Sequence, residues 1–377
     1  MTFLRTTRDA LALLAIVATV GAGAALAGCV AAQAGGQATL PNSGQAGVTW
    51  PVKLALPEPA SLRIVSQVVD PGRKTDFALT RGAHGSFVLR RTGLADGQVK
   101  IGPSFPVSSI ALAGSSLWVF GAQPVGRTSE RVKLYRVNPR SLHIERALTE
   151  GPSRGGSGLA ALAPGRHGTI WVSFGRTVLH LSGRTGSVIA RLRVPAGQVA
   201  GDIALSPSGR LLYVATSPET AGGASSVFEY NTVGLRKLAV NAKTVTAVAV
   251  GGGTLTAAPA GIWVSFRTGM LGRTVFLRQL DLRSVKLPGT GTRHSLFSWA
   301  MWASTVYSSP SLYLIQSDSA VAGCVNPRTG HIRARGTVGG HLEVDQLYAF
   351  GQHGRVLFAA SQHGVIAIHP PAACRAA

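Results

Sequence analysis

From about Trp50 onward, the chain alternates short hydrophobic and polar runs with turns rich in Gly, Pro and Ser. This alternation predicts β-strands, and the turns come too often for long helices. One motif recurs along the runs: an aromatic residue between two smaller, mostly aliphatic ones. Its aromatic residues are Phe77, Trp118, Trp171, Tyr213, Trp263, Tyr313 and Phe358. Neighbouring copies are 41 to 53 residues apart, which indicates a structural repeat.

The repeat length predicts an all-β fold, a seven-bladed β-propeller, because a four-stranded blade takes ~40–50 residues. A single blade cannot bury both of its faces, so blades must pack on one another and close into a ring. The last unit has no fourth strand of its own, because only seven residues follow Pro370. We expect the run Trp50–Leu56 to supply that strand and close the ring. A pair of β-sandwiches is the alternative.

The first thirty residues have the pattern of an export signal. Arg5 and Arg8 precede an apolar run over residues 10–25, and Leu26-Ala27-Gly28-Cys29 follows it. This ending resembles the lipobox of bacterial lipoproteins, and the resemblance implies cleavage before Cys29 and acylation of that residue. The alternative is an uncleaved anchor helix with an incidental cysteine.

These signals divide the chain into a lipoprotein signal peptide (1–28), a flexible tether (29–49) and the propeller (50–377). The tether is predicted because its residues are mostly Ala, Gly, Gln and Ser without charge. The expected location is outside the cytoplasm, lipid-anchored to the outer face of the cell membrane.

Two segments resemble a known repeat family. Gly168–Phe174 reads Gly-Thr-Ile-Trp-Val-Ser-Phe, and Cys324–Ile332 contains the turn Asn-Pro-Arg-Thr-Gly. Both are similar to bacterial propeller repeats of the YVTN and streptogramin-lyase-like type. Members of that type include lyases, lactonases and binding proteins, so the resemblance implies a fold and leaves the chemistry open.

The chain is strongly basic, with 37 Lys and Arg residues against 15 Asp and Glu, a formal net charge of +22. For an exported protein, nucleic acid is not the expected partner. The expected partners are the membrane, through the lipid on Cys29, and an acidic envelope polymer, an anionic lipid or an acidic protein. The alternative is a compositional bias toward Arg with no specific partner.

Patterns that indicate catalysis or metal binding are sparse. Gly151-Pro152-Ser153-Arg154-Gly155 matches a nucleophile elbow, but no helix is predicted after it, so a loop between blades is the preferred interpretation. His341, Glu343 and Asp345 precede the last inner strand, and Asp202 begins the fourth. At a channel mouth these residues could hold a divalent cation. Solvated or strand-capping roles are preferred because acids are few, and we predict no metal and no cofactor.

Cys324 and Cys374 remain after Cys29 is assigned to the lipid. In an exported chain the two favour a disulfide, with two buried thiols as the alternative. These observations together predict a non-catalytic binding or scaffold lipoprotein of the cell envelope. The alternative function is an exported lyase, lactonase or hydrolase with its site at the channel mouth.

Overall fold

The structure is a computed structural model. It describes residues 48–57, 64–70, 75–81, 86–93, 96–103, 107–126, 129–154, 160–219, 225–241, 254–268, 271–285, 303–308, 310–316, 321–339, 350–353, 356–361 and 364–375. Cys29, the predicted signal peptide and the tether up to residue 47 lie outside these ranges, as do His341, Glu343 and Asp345. Within the described ranges, no helix is both long enough and apolar enough to cross a membrane.

The described secondary structure is almost entirely β. The chain begins with β1 (Val48–Pro57). Blade 1 contains β2 (Ile64–Asp70), β3 (Thr75–Arg81), β4 (Ser86–Thr92) and β5 (Gly97–Pro103). Blade 2 contains β6 (Val107–Ala113), β7 (Ser116–Val125), β8 (Ser129–Val137) and β9 (Ile144–Arg154). Blade 3 contains β10 (Ala160–Pro164), β11 (Ile170–Phe174), β12 (Thr177–Leu181) and β13 (Val188–Arg193).

The second half of the chain continues the same order. Blade 4 contains β14 (Gln198–Leu205), β15 (Leu211–Pro218), β16 (Ser226–Asn231) and β17 (Lys237–Asn241). Blade 5 contains β18 (Thr254–Ala258), β19 (Gly261–Thr268), β20 (Leu271–Arg278) and β21 (Ser284–Val285). The last strands are β22 (Ala303–Ser308), β23 (Ser311–Gln316), β24 (Val321–Val325), β25 (Ile332–Gly339), β26 (Phe350–His353), β27 (Val356–Ser361) and β28 (Gly364–Ile368). Single helical turns lie at Arg166–Gly168 and Ala372–Arg375.

The strands that the structure describes form six sheets, so the prediction of seven separate blades is wrong. Five sheets have four strands each, and the sixth has eight, in the order β22-β23-β24-β25-β1-β28-β27-β26. The physical reason is that β1 bonds to two units. Val48–Pro51 pairs parallel with β25, and Val52–Pro57 pairs antiparallel with β28. We call the eight-stranded sheet the double blade, with β22–β25 as its first half and the other four strands as its second half.

The ring closes as the sequence predicts. The run Trp50–Leu56 lies in β1 and forms the outer strand beside β28. The first strand of each unit contacts the first strand of the next, and the circuit ends with β26 against β2. These inner strands can approach one another because they are rich in small residues, as in the Ala-Ala-Leu-Ala sequence of β10.

The core consists of separate layers between neighbouring units, and the repeated aromatic residues fill them. Trp118 packs with Ile170 and Val172 of blade 3. Trp171 packs on blade 4, and Trp263 on the first half of the double blade. All three indoles are almost fully buried. These tryptophans therefore pack between neighbouring units.

Candidate functional site

Asp202 lies inside the ring wall and couples blade 4 to blade 5. It sits within β14, at a bulge between Ala200 and Ile203, rather than at the start of the inner strand as the sequence suggested. Its Oδ1 accepts a hydrogen bond from its own neighbour Ile203 N at 2.9 Å, and Oδ2 accepts one from Leu255 N of β18 at 2.6 Å. Burial raises the pKa of Asp202 to about 6, against the lowering effect of these two donors.

Other polar side chains near the axis also bond from one unit to the next. Ser66 Oγ on β2 accepts a hydrogen bond from Ile110 N on β6 at 3.2 Å. Ser173 Oγ of blade 3 donates to the carbonyl of Gly201 on β14. These contacts satisfy backbone groups that would otherwise be buried without partners. Polar chemistry in this part of the ring therefore serves blade-to-blade contacts.

A second coupling position lies on the third strand of the unit, opposite the repeated aromatic residue. In blade 1 it is Arg91, which donates to the carbonyls of Pro139 and Arg140 in the next blade. In blade 2 it is Arg136, which donates to the carbonyl of Arg184. A long basic side chain at this position therefore reaches across to the neighbouring turn.

The same position carries different chemistry in later blades. Glu229, opposite Tyr213, is fully buried, and its two carboxylate oxygens accept from Leu280 N at 3.0 and 3.1 Å. Burial raises the pKa of Glu229, and burial together with the adjacent Glu229 carboxylate raises that of Tyr213. In blade 3 the position is His180, whose ring stacks on Trp171 with centroids 4.1 Å apart.

In the first half of the double blade the coupling position is Cys324. It lies opposite Tyr313 and forms a disulfide with Cys374, with the two Cα atoms 5.6 Å apart. The two cysteines that the sequence pairs are thus joined in the structure. The carbonyl of Cys374 also accepts a hydrogen bond from Ser311 Oγ at 2.6 Å. The bond fixes the C-terminal segment against the double blade.

The Gly-x-Ser-x-Gly match forms part of a strand, not the loop that the sequence suggested. Gly151–Arg154 ends β9, and Ser153 pairs with Glu130 of β8. The hydroxyl of Ser153 is buried, shares a hydrogen bond with Thr177 Oγ1 at 2.8 Å and accepts one from Arg176 N at 3.0 Å. This serine holds blade 2 to blade 3.

One end of the ring carries a set of exposed arginines, which we call the arginine face. In a four-stranded meander, the first-to-second and third-to-fourth turns lie at the same end of the sheet. Contacts between neighbouring units place these turns side by side, as between the Gly114 and Gly168 backbones and between Arg136 and Arg184. The members of the arginine face are the exposed arginines of these turns that form no ion pair within the described ranges: Arg140, Arg166, Arg184, Arg210, Arg236, Arg283, Arg328 and, after β28, Arg375.

Two described acids of this end, Asp281 and Glu145, form ion pairs with arginines that are not members of the face. Asp281 pairs with Arg278, and the hydrogen bond from that guanidinium lowers the pKa of Asp281 to about 2. Glu145 pairs with Arg136, with Nε and Oε2 3.2 Å apart. Within the described ranges no member of the arginine face forms an ion pair, although the charge of Arg283 also helps to lower the pKa of Asp281. The face is therefore a net positive surface.

A small pocket of about 260 Å³ opens on the same end, between the turns of blade 2. Its walls include Ser116, Arg136, Arg140 and Glu145. Arg136 is already engaged, because its guanidinium also donates to Ser116 Oγ at 2.9 Å. In the part of the chain that the structure describes, no group of three His, Cys, Asp or Glu residues is arranged to hold a metal ion.

The sequence interpretation missed both the coupling position and the arginine face. The arginines were visible only as an even spread along the chain, and the ring brings them to one end. The coupling residues had one signal, their fixed place opposite the repeated aromatic residue. Where they reach the next unit or the C-terminal turn, their partners lie 48 to 51 residues away.

Comparison with known proteins identifies the fold. No family model matches the chain. No curated protein matches it either. Among solved structures, BamB from Moraxella catarrhalis aligns with TM-score 0.53 and 14% identity over 81% of this chain and 82% of that one. The WD40 domain of Toxoplasma gondii coronin aligns with TM-score 0.52 and 11% identity, covering 86% and 89%.

A third similar structure is the β-propeller domain of Myceliophteria thermophila Cps50 (Swd1). It aligns with TM-score 0.50 and 14% identity over 81% of this chain and 95% of that one. At such low identities the likeness extends to the fold alone. Strand order, ring closure and these neighbours together show that the chain is an all-β protein with the β-propeller fold.

Proposed function

We propose that this protein is a non-catalytic binding or scaffold propeller of the cell envelope that docks onto acidic surfaces. The observation that carries the proposal is the arginine face, a set of exposed arginines at one end of the ring that form no ion pair within the described ranges. After removal of the predicted signal peptide, which contains Arg5, Arg8 and Asp9, the formal net charge is +21. Such a charge attracts polyanions over distances comparable to the Debye length.

The polar groups around the axis support binding over catalysis. Catalysis needs titratable side chains that converge on one substrate position. Here Asp202 accepts backbone donors from its own strand and the next inner strand, and Glu229 accepts from a turn of the next blade. Both carboxylates thus bind backbone N–H groups of the next blade, which is a structural role.

The proposal includes export and anchoring. We assign residues 1–28 to a lipoprotein signal peptide, Cys29 to the lipid and the repeats to the YVTN-like type. The tether is shortened from the predicted 29–49 to 29–47, because Val48 and Thr49 already pair with β25. Two acyl chains on one cysteine would hold the protein firmly on the outer face of the membrane. In fractionated cells, Cys29→Ala is expected to move the protein out of the membrane fraction. A variant that stays there at its normal size would contradict the lipid anchor.

The binding function is tested with soluble protein comprising residues 30–377. The unit Gly47–Ala377 contains every described strand, the closing pair of β1 and β28 and the disulfide, so this chain retains the whole fold. Sedimentation with phosphatidylglycerol vesicles, phosphatidylcholine vesicles and immobilised polyphosphate is measured as salt rises. The Debye length falls from about 10 Å at 0.1 M to about 3 Å at 1 M salt.

The expected result is strong binding to an anionic probe at low salt and a steep loss at high salt. Equal binding to anionic and neutral surfaces would contradict the proposal, because charge would then not be the source of affinity. Binding to anionic probes that does not change with salt would contradict it for the same reason.

A further inference from the structure

We propose that the arginine face is a membrane-docking surface that binds the headgroups of anionic phospholipids. This inference rests on the proposed function and adds to it the surface, its orientation and one class of partner. The face is formed by the turns that join the first to second and third to fourth strands of successive units. Its members reach from Arg140 in blade 2 to Arg375 beyond the double blade.

The arginines project from turns that are braced by their own hydrogen bonds. In blade 2, Asn138 Oδ1 accepts from Arg140 N at 2.9 Å. In the double blade, Asn326 Oδ1 accepts from Arg328 N at the same distance. In both turns an Asn side chain bonds the backbone two residues on, which fixes a tight turn. The guanidinium groups therefore start from rigid positions and lose little backbone freedom on binding.

Neighbouring units also fix these turns relative to one another. The carbonyl of Arg184 accepts from Arg136 of blade 2, and that of Arg140 accepts from Arg91 of blade 1. The aliphatic stem of Arg166 lies against Gly209 of blade 4, at a place that a Cβ would fill. The turns of blades 1 to 4 that carry basic side chains are thus fixed to one another by contacts from each blade to the next.

This arrangement fits a plane of phosphates better than a single chain or a compact protein patch. The arginines lie in turns from blade 2 to the double blade, all at one end of the ring, so a flat anionic surface can meet them together. An extended polymer strand that crosses the ring, or a compact protein patch, would reach only some of them. In the blade 2 pocket Arg136 is bonded to Ser116 and Glu145, which leaves Arg140 as the one arginine of its wall without an ion pair in the described ranges. Mobile headgroups can instead meet each guanidinium separately, and the guanidinium fork matches two phosphate oxygens.

The test compares two double variants of residues 30–377 that lose the same charge at opposite ends of the ring. Arg184→Gln with Arg328→Gln changes equivalent turns of the arginine face. The control, Arg154→Gln with Arg193→Gln, changes two exposed arginines at the other ends of the strands, where Arg154 pairs with Ser129. Binding to vesicles of phosphatidylglycerol and phosphatidylcholine is measured at 0.1 M salt, and melting temperatures check that each variant folds.

Each arginine near an anionic membrane contributes roughly a fivefold factor in affinity. The Arg184/Arg328 variant should therefore bind about 30-fold more weakly, and the Arg154/Arg193 control within about threefold of the wild type. Each single variant, Arg184→Gln or Arg328→Gln, should lose about fivefold, because a plane touches both sides of the ring.

Three results would overturn the docking surface while leaving the proposed function standing. Equal losses in the two double variants would show that the binding charge is not localised on this face. Loss in only one of the single variants would indicate a partner that contacts one blade. Binding of the wild type to polyphosphate but not to phosphatidylglycerol vesicles would identify a polymer as the partner. Failure of the wild type to bind any anionic probe would instead reject the proposed function.

Discussion

Removing the disulfide between Cys324 and Cys374 measures how much this bond contributes to closing the ring. Cys324 lies on β24 in the first half of the double blade, and Cys374 lies in the helical turn after β28. The bond spans 50 residues of sequence and encloses β25 to β28. Both sulfurs belong to the fully buried layer that also contains Trp50.

The size of the effect follows from the length of the closed loop. In the chain-entropy treatment, a loop of about 50 residues stabilises the fold by about 4 kcal/mol. The entropy of unfolding of the roughly 330-residue unit is about 0.7 kcal/mol per kelvin, from ~2.1 cal/mol/K per residue. Dividing the lost stabilisation by this entropy gives the shift in melting temperature. We therefore expect the double variant Cys324→Ala, Cys374→Ala to fold and to melt about 6 °C below the wild type. It still folds because the β1–β28 ladder closes the ring independently.

The assay is a thermal melt of residues 30–377, as wild type, as the double variant and as wild type with reductant. Reduced wild type should melt close to the double variant, since both lack only the crosslink. A melting temperature that is the same with and without the bond would refute the reasoning. Failure of the double variant to fold would also refute it, because β1 would then not suffice to close the ring.

Three further substitutions test contacts between units. Asp202 has a folded pKa of about 6 against 3.8 in the unfolded chain, so stability falls as pH rises from about 4 to 6. Asp202→Asn should remove this part of the pH dependence of the unfolding free energy, measured by urea unfolding at several pH values. An unchanged pH dependence would contradict the raised pKa of Asp202. Glu229→Ala should lower the unfolding free energy in urea by about 1–3 kcal/mol, because it leaves Leu280 N without its acceptor. Glu229→Gln keeps an acceptor and should recover most of that stability. Equal losses in the two variants would argue against the hydrogen bond. Gly336→Val should lower the melting temperature, because the new Cβ would collide with the carbonyl oxygen of Val48 in β1. The control Gly339→Val adds its Cβ in open space and should melt near the wild type. Equal melting temperatures of the two variants would count against the β1–β25 pairing.

The repeat and its closure were predictable because each depends on a local sequence signal. All seven repeated aromatic residues lie on the second strand of a four-stranded unit, from Phe77 on β3 to Phe358 on β27. A large side chain is needed at that place because two sheets face each other across it. The missing last strand was predictable as well, since the final unit ends at β28 and a β-type run stands before the first unit.

The joining of the last two units could not be predicted. It depends on Val48–Pro51, a short run before the closing segment that pairs parallel with β25. Parallel pairing between segments that lie almost 290 residues apart leaves no periodic signal in the sequence. Gly336 permits the contact by lacking a Cβ, but glycine is too frequent in this chain for one of them to be informative.

The candidate surface was equally hidden, for a geometric reason. Sequence reasoning found the charge and its excess of Arg, and turn sequences such as Ser-Gly-Arg-Thr-Gly around Arg184 separate it locally from Arg193. No pattern along the chain shows which arginines share one end of the ring. Only the direction of the strands places Arg184 at the arginine face and Arg193 at the opposite strand end. The hydrogen bond from Leu255 N to Asp202, 53 residues away, was hidden for the same reason, because only closure of the ring brings β14 and β18 together.

Hydrogen–deuterium exchange of residues 30–377, free and bound to phosphatidylglycerol vesicles, tests the central claim most directly. The account predicts slower exchange on binding in the turns at residues 182–187 and 326–331, which carry Arg184 and Arg328. It predicts no change at residues 151–154 and 195–197, at the other end of the ring. Protection of those opposite segments, with the arginine turns unchanged, would contradict the claim that this protein docks through its arginine face.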